Sequence, residues 1–361
     1  MELGSGSPFR GAALEKLKTF LNDCGLKYDE RVEYSICLTE DDKIAATGSL
    51  DGAVLKCVAV SSAFRSEGLA AKIISELISE AGRRGRFHLF LFTKPENQEL
   101  FDDLGFYQIA KTDQVLLMEN KKRGIEQFVA SLKKPVTAAE PAAERAPQGS
   151  SKASVASESS HDSSTATGAI VANCNPFTSG HLYLIETAAR QCGLLYLFIV
   201  SENKSAFPAE TRLELVRRGI AHIPNVHLCS TGPYLVSAAT FPDYFLKDSP
   251  GAVSPQTLNT SLDLAIFAEC FARPLGIKRR FVGTEPLDPV TSVYNRQMKE
   301  ILPAYGIEVI EIPRMENSGG AVSASRVRRM LTEGNLDSVK ELVPPTTYEY
   351  LINNRSGDAI K

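Results

Sequence analysis

The sequence predicts an α/β protein of two domains, a mixed α+β domain followed by a doubly wound domain with a parallel sheet. The first observation is a stretch at residues 135–167 made mostly of Ala, Ser, Pro, Glu and Thr, without Ile, Leu, Met, Phe or Tyr. Such a stretch cannot bury enough apolar surface to offset its ordering entropy. The second is the alternation of apolar runs and amphipathic segments after it, which favours a parallel sheet covered by helices. We therefore expect domains at residues 1–134 and 168–361, joined by a disordered linker at 135–167.

The first domain is predicted to place strands and helices around one glycine-containing turn. Amphipathic spacing indicates a helix at residues 11–21 and another from the turn to about residue 81. Apolar runs before the turn indicate strands at residues 31–38, 43–49 and 53–60. After the second helix we expect a strand at 87–92, a short helix at 97–104 and a hairpin ending at 118.

The turn reads Arg65-x-x-Gly68-x-Ala70 and lies between a strand and a helix. Together with the order of the surrounding elements, it resembles the GNAT acetyltransferase fold. The resemblance implies that the backbone amides of this turn bind the pyrophosphate of coenzyme A. We expect Arg65, Gly68 and Ala70 to bind the phosphate-containing arm of a coenzyme A-like ligand. Glycine permits close backbone approach to phosphate at a helix N-terminus. The alternative is that Arg65 and Gly68 only shape the turn.

The second domain alternates strands and helices in the manner of a Rossmann-like sheet. Strands are predicted at residues 169–173, 194–200, 226–229, 280–282 and 308–312. Helices are predicted at residues 182–191, 210–220, 262–271 and 293–302. In open sheets of this kind, ligands bind at the carboxyl ends of the strands, where the strand order reverses. The loop after the first strand is therefore the first candidate site.

That loop runs from Asn173 to His181 and ends at a helix N-terminus. The first-turn amides of a helix lack intrahelical partners and carry partial positive charge, so they bind phosphate oxygens readily. We expect His181, which opens this helix, to face the phosphate. Cys174 has no identifiable base beside it, and we expect only its backbone to contribute.

Two further clusters are predicted to converge on the loop. Lys204 follows the second strand of the parallel sheet, and Ser323-Ala-Ser325-x-x-Arg328 begins a late helix. Serine hydroxyls can donate to phosphate oxygens, and an arginine can bind two oxygens at once. Gly283, Thr284 and Glu285 follow a strand and are expected either to recognise an adenine or ribose edge or to form an ordinary turn. The chain has no Walker loop of the form Gly-x-x-x-x-Gly-Lys-Ser/Thr.

Thr178-x-Gly180-His181 and the Ser323 to Arg328 cluster resemble signatures of the nucleotidyltransferase superfamily. The fuller pattern, with the GNAT-like front half, resembles the citrate lyase ligase family. The residues expected to act in catalysis are His181, Lys204 and Arg328. Those expected to bind ATP are Asn173, Cys174, Asn175, Pro176, Phe177, Thr178, Gly180, Gly283, Thr284, Glu285, Ser323 and Ser325.

The family resemblance implies an acid–thiol ligase that uses ATP and Mg²⁺. Acetate attacks the α-phosphorus of ATP, and the thiol on the citrate lyase acyl carrier subunit then takes the acetyl group, which activates citrate lyase and releases AMP. His181 and Lys204 would contact the α-phosphate, while Thr178, Ser325 and Arg328 would hold the phosphates that leave. Two alternatives stay open: a nucleotidyltransferase acting on a phosphorylated metabolite, and a regulator that binds nucleotide and acyl-CoA.

Composition excludes several other classes of function. The net charge of −3 and the lack of a long basic run give no case for nucleic acid or membrane partners. The start of the chain does not resemble a signal peptide, and no apolar run approaches bilayer length, so we expect a cytoplasmic protein. Its seven cysteines are scattered without a Cys-x-x-Cys motif. We expect neither disulfides nor a protein-bound metal.

Overall fold

A computed structural model describes residues 1–6, 8–65, 67–133, 165–201, 205–235, 255–285, 289–317 and 320–354. The chain divides into two compact units. The first comprises Met1–Phe128, Pro233–Arg273 and Asp288–Tyr305, and the second Val129–Gly232, Pro274–Leu287 and Gly306–Lys361. Residues 134–164, which make up nearly all of the predicted linker, lie outside the described residues.

The elements alternate along much of the chain. The strands are β1 (Glu2–Gly6), β2 (Tyr34–Glu40), β3 (Lys43–Asp51), β4 (Val54–Val60), β5 (Phe90–Thr93), β6 (Tyr107–Lys111), β7 (Leu116–Glu119), β8 (Thr167–Ala172), β9 (Leu194–Ile199), β10 (Val226–Ser230), β11 (Ile277–Gly283), β12 (Glu308–Ile312), β13 (Glu316–Asn317) and β14 (Gly320–Ala321). The α-helices are α1 (Gly11–Asp23), α2 (Leu69–Arg83), α3 (Gln98–Asp103), α4 (Gly124–Ser131), α5 (Ser179–Ala189), α6 (Ala209–Gly219), α7 (Pro255–Ala265), α8 (Arg273–Leu275), α9 (Pro289–Ile301), α10 (Ala324–Thr332), α11 (Leu336–Val339) and α12 (Pro345–Asn353). None of the helices in the described ranges is long and apolar enough to cross a membrane.

The first unit is built on a seven-stranded sheet in the order β1-β2-β3-β4-β5-β7-β6. Helix α2 packs on it because Leu69, Ile73 and Leu77 recur at helical spacing and are buried. Gly48 of β3 permits this packing, since a Cβ there would lie 2.6 Å from Ile73 Cγ2. Strand β1 was not predicted, because its largely exposed residues carry no apolar pattern and it joins the sheet by backbone pairing with β2.

Strands β4 and β5 run parallel but pair over only two residues, Val54 with Phe90 and Leu55 with Leu91. Beyond that pairing β4 carries an irregularity in its register with β3, and Cys57 has a positive φ of 52°. The two strands therefore part towards their carboxyl ends. This mixed sheet with a split between β4 and β5 confirms the predicted GNAT-like class of the first unit.

Two predicted helices belong to a different unit from the one that the sequence analysis assigned them to. We expected the helices at residues 262–271 and 293–302 in the second domain. The first unit instead contains α7, its π-helical continuation Ile266–Ala272 and α9. Phe271 packs edge-on against Phe128, with ring centroids 6.2 Å apart, and the Cys270 thiol contacts the Ile109 carbonyl. Amphipathic spacing shows that a helix has a buried face, but not which sheet covers that face.

The second unit contains a five-stranded parallel sheet in the order β10-β9-β8-β11-β12. This is the predicted Rossmann-like arrangement. The chain proceeds outward from the central strand β8 to β9 and β10 on one side and to β11 and β12 on the other. The carboxyl end of β8 is therefore the point at which strand order reverses, and the loop that follows it occupies the place where such sheets bind ligands.

Candidate active site

Helix α5 begins at the end of the loop that follows β8. Its first turn is closed by a capping box in which His181 takes the N3 position. The Thr178 hydroxyl oxygen accepts a hydrogen bond from the His181 backbone N–H at 3.3 Å. In return, the Thr178 backbone N–H donates to His181 Nδ1 at 3.1 Å. This reciprocal arrangement satisfies two amides and locks the imidazole against the first turn.

The hydrogen bond to Nδ1 determines which nitrogen of His181 carries the proton. Because Nδ1 accepts from the Thr178 N–H, the neutral ring holds its proton on Nε2. Burial, and next the positive charge of Arg314, lower the pKa of His181 to about 4. At neutral pH the ring is thus an uncharged donor in a fixed tautomer, which suits a hydrogen bond to a phosphate oxygen.

Gly180 brings the start of α5 against the segment that precedes α10. A Cβ on Gly180 would lie 2.8 Å from the Val322 carbonyl oxygen, so only glycine fits this contact without a shift of the backbone. Next to Val322, Ser323 caps α10, and its hydroxyl oxygen accepts from the Arg326 N–H at 3.2 Å. The structure therefore brings the amino ends of α5 and α10 together, as the two signatures predicted.

Arg328 links these two helix starts. One terminal nitrogen donates to the Asn175 carbonyl, and the other donates to the Ser325 hydroxyl at 3.1 Å. Burial lowers the pKa of the Arg328 guanidinium from its usual value. The cation thus lies beside the loop after β8, and Ser325 is within its reach.

Arg212 of α6 was not predicted, and it organises the loop. Its fully buried guanidinium donates to the backbone carbonyls of Asn173 and Val200, each at 2.8 Å, and to that of Phe207 at 3.0 Å. These carbonyls follow β8, follow β9 and precede α6. Hydrogen bonds to a charged group contribute about 1.5–3 kcal/mol each, so one side chain ties three elements at this edge. No sequence signal separates it from the other charged residues of α6.

Arg212 also orients a predicted site residue. It donates to Asn173 Oδ1 at 2.7 Å, which turns the amide nitrogen of Asn173 towards the Ser205 hydroxyl at 3.2 Å. The amide of Asn175 is fixed as well, because its Oδ1 accepts from the Phe207 N–H at 3.0 Å. Both asparagines therefore brace the loop, and Asn173 presents N–H groups at its edge.

The third predicted cluster follows β11 and forms an ion pair that was not expected. Both Glu285 oxygens accept from Arg314, at 3.0 and 2.7 Å. The Thr284 hydroxyl accepts from the Arg314 backbone N–H at 3.0 Å. Gly283 leaves open space on its Cβ side. Thr284 and Glu285 therefore both bind Arg314, a residue that belongs to none of the motifs found in the sequence.

The five consecutive predicted residues 174–178, which include Asn175 and Pro176, are all buried. Cys174 and Phe177 are 1% and 0% exposed, so they can offer a ligand only backbone groups, and burial raises the pKa of the Cys174 thiol to about 12. Phe177 stacks on His181 with ring centroids 6.1 Å apart. Thr178 is 1% exposed and engaged with His181, so it holds the ring rather than reaching the leaving phosphates as we had expected. Lys204 lies outside the described residues.

The first unit has a cleft of about 470 Å³ where β4 and β5 part. All three predicted residues of the turn, Arg65, Gly68 and Ala70, line it. Apolar walls come from β4 and β5, and Lys94, Glu96 and Asn97 add polar groups. Gly68 caps α2 with a left-handed φ of 69°. The cleft thus combines the amides of a helix start, a cation and an apolar channel.

Residues 167–351 match the family model described as the citrate lyase ligase C-terminal domain. The citrate (pro-3S)-lyase ligase of Klebsiella pneumoniae is 40% identical over 343 residues, which span 94% of this chain and 92% of the relative. That of Escherichia coli K12 is 38% identical over 349 residues, spanning 94% and 90%. The chain belongs to the citrate lyase ligase family.

Membership of the citrate lyase ligase family confirms the resemblance drawn from the motifs and makes the chain an enzyme of the ligase class. Among solved structures, a GNAT-family acetyltransferase from Staphylococcus aureus Mu50 is similar to 33% of this chain over its whole length. The two are 16% identical, with a TM-score of 0.28. The strand order of the first unit and the split between β4 and β5 show its GNAT-like class.

The lowered pKa of His181 predicts how stability depends on pH. As pH falls from about 6.5 to about 4, the unfolded chain binds a proton at this histidine and the folded chain does not. The free energy of unfolding should therefore decrease over this window, by about 3 kcal/mol. Urea unfolding of the wild type and of His181→Asn measures the effect.

The His181→Asn variant should lose this part of the pH dependence, since asparagine can accept from Thr178 but does not titrate. His222→Asn, at a histidine with a largely exposed side chain, controls for the loss of a histidine elsewhere. Equal pH slopes for the wild type and His181→Asn would show that the ring is not held neutral.

Proposed function

We propose that this protein activates citrate lyase by acetylating the thiol of its acyl carrier subunit in two steps. Acetate first attacks the α-phosphorus of ATP to give acetyl-adenylate and pyrophosphate. The carrier thiol then attacks the acyl carbon, and AMP leaves with the oxygen that joined the two groups. The observation that carries this proposal is His181, held by Thr178 as a neutral Nε2–H donor at the switch point of the parallel sheet.

The first step makes modest demands on protein chemistry. It needs in-line positioning and groups that offset the negative charge accumulating on phosphate oxygens. His181 Nε2–H donates to the α-phosphate, and Lys204 is assigned to the same group from its place after β9. Arg328 and Ser325 hold the departing phosphates, supported by the guanidinium contacts that already bridge the loop and α10. Asn173, Gly180 and Ser323 complete the cradle with N–H and hydroxyl donors.

Mg²⁺ is proposed to enter with ATP. Mg²⁺ prefers a few carboxylates together with substrate phosphates. The described residues hold no group of three His, Cys, Asp or Glu that could bind a metal. We assign the ion to the phosphates that leave, where it would offset their charge.

The second step requires a way to hold the carrier. Its prosthetic arm is expected to resemble coenzyme A, and the cleft of the first unit fits that chemistry with the amides at Gly68 and Ala70, the Arg65 cation and an apolar channel. Binding energy gained at this cleft would lower the entropic cost of thiol attack and leave adenylate formation unaffected.

Acetate-dependent exchange of label between pyrophosphate and ATP tests the first step. The wild type should exchange label only when acetate is present. His181→Ala should lower the rate by on the order of a hundredfold, the usual effect of losing one charge-stabilising donor. Circular dichroism would show that the variant is folded. Exchange at the wild-type rate by a folded His181→Ala protein would rule out the assigned role.

The role of the cleft is tested by Gly68→Glu. A carboxylate at this turn repels a pyrophosphate and blocks close backbone approach, so the KM for the carrier protein should rise at least tenfold while ATP–pyrophosphate exchange stays normal. Gly85→Glu is the matched control, because Gly85 has a similar left-handed φ of 73° but does not line the cleft. Should both variants show wild-type carrier kinetics, the first unit does not bind the arm.

A further inference from the structure

The ion pair between Arg314 and Glu285 is unlike the surface ion pairs of the chain. It is bidentate, and the Glu285 side chain is only 9% exposed while that of Arg314 is 27% exposed. Fixed fork geometry of this kind orients a guanidinium at little further entropic cost. The Glu285 carboxylate is therefore buried, and the Arg314 side chain remains partly exposed.

The segment that carries Arg314 packs close to the start of α5 in the candidate site. Met315, the next residue, accepts from the Val322 N–H through its carbonyl at 3.0 Å. The carbonyl of Val322 lies against Gly180 at the start of α5. The Arg314 charge also acts on His181, where it adds to burial in lowering the pKa. The backbone next to Arg314 thus pairs with the segment that contacts the start of α5 and leads into α10.

We propose that Arg314 contacts the pyrophosphate leaving group of bound ATP and that Glu285 positions it. The inference rests on the proposed function and adds a second arginine to the cradle beside Arg328. The proposal also changes the expected role of Glu285. Both of its carboxylate oxygens accept from Arg314, so they are poorly placed to accept hydrogen bonds from an adenine or a ribose. Negative charge accumulates on the leaving pyrophosphate in the first step, and a preoriented cation there stabilises it.

The chain supplies a matched control on the same two strands. Arg279 and Glu308 are register partners on β11 and β12 and form an ion pair of 3.1 Å. At about 3.3 Å per residue they lie about 13 Å from the carboxyl ends of these strands. A role limited to joining the two strands would make this pair and the Arg314 pair equivalent.

The test compares four variants in acetate-dependent ATP–pyrophosphate exchange and measures binding of magnesium pyrophosphate by calorimetry. Arg314→Gln alone would leave Glu285 buried without its partner and threaten folding, so the double variant Glu285→Gln/Arg314→Gln is the main probe. Arg314→Lys keeps the charge without the fork. Glu285→Gln alone loosens the fork, and Arg279→Gln is the control.

The double variant should weaken pyrophosphate binding at least tenfold and slow exchange by on the order of a hundredfold. The KM for acetate should stay within twofold of the wild type. Arg314→Lys and Glu285→Gln should each show a smaller loss, and Arg279→Gln should match the wild type. Wild-type pyrophosphate affinity in the folded double variant, or a raised KM for acetate with normal pyrophosphate binding, would overturn the proposal.

Binding of pyrophosphate needs no acetate, so the two proposals fail separately. A wild type without acetate-dependent exchange would contradict the proposed function. If its pyrophosphate affinity still fell only in the variants at positions 285 and 314, the assignment of Arg314 to the phosphates would stand.

Discussion

The candidate site depends first on the buried guanidinium of Arg212. Three backbone carbonyls, those of Asn173, Val200 and Phe207, lie at this edge of the sheet, and each needs a hydrogen-bond donor. Arg212 supplies all three and orients the Asn173 amide as well. With that edge fixed, the loop can deliver Thr178 to the start of α5, and Thr178 can fix the tautomer of His181.

Local patterns predicted more of the site than long-range ones. Thr178, Gly180 and His181 lie within four residues, so the spacing alone places them on one helix start, and Ser323 to Arg328 form a second start of the same kind. Arg212 and Arg314 could not be predicted, because a sequence does not show that an arginine will be buried or which strand end it will face. The role of Glu285 was open for the same reason, since its partner is 29 residues away.

The fold was predictable to a similar degree. Alternating apolar runs predicted the parallel sheet, because its inner strands are largely buried and leave a clear apolar pattern. They did not give β1, which is polar and held by backbone pairing. Nor did they assign α7, its π-helical continuation and α9 to the first unit, where Phe271 of the continuation packs against Phe128. A chain that returns to an earlier unit leaves no local trace in helical spacing.

In the proposed mechanism acetate attacks the α-phosphorus of ATP, and an isotope can follow the bond that forms. Acetate labelled with ¹⁸O in both carboxylate oxygens is incubated with the protein, magnesium ATP and the thiol-bearing carrier, and the products are analysed by mass spectrometry. The mechanism forms a bond between acetate oxygen and the α-phosphorus and then breaks the acyl carbon–oxygen bond. AMP should therefore carry one ¹⁸O and pyrophosphate none. Label in pyrophosphate or orthophosphate, or AMP without label, would contradict the account.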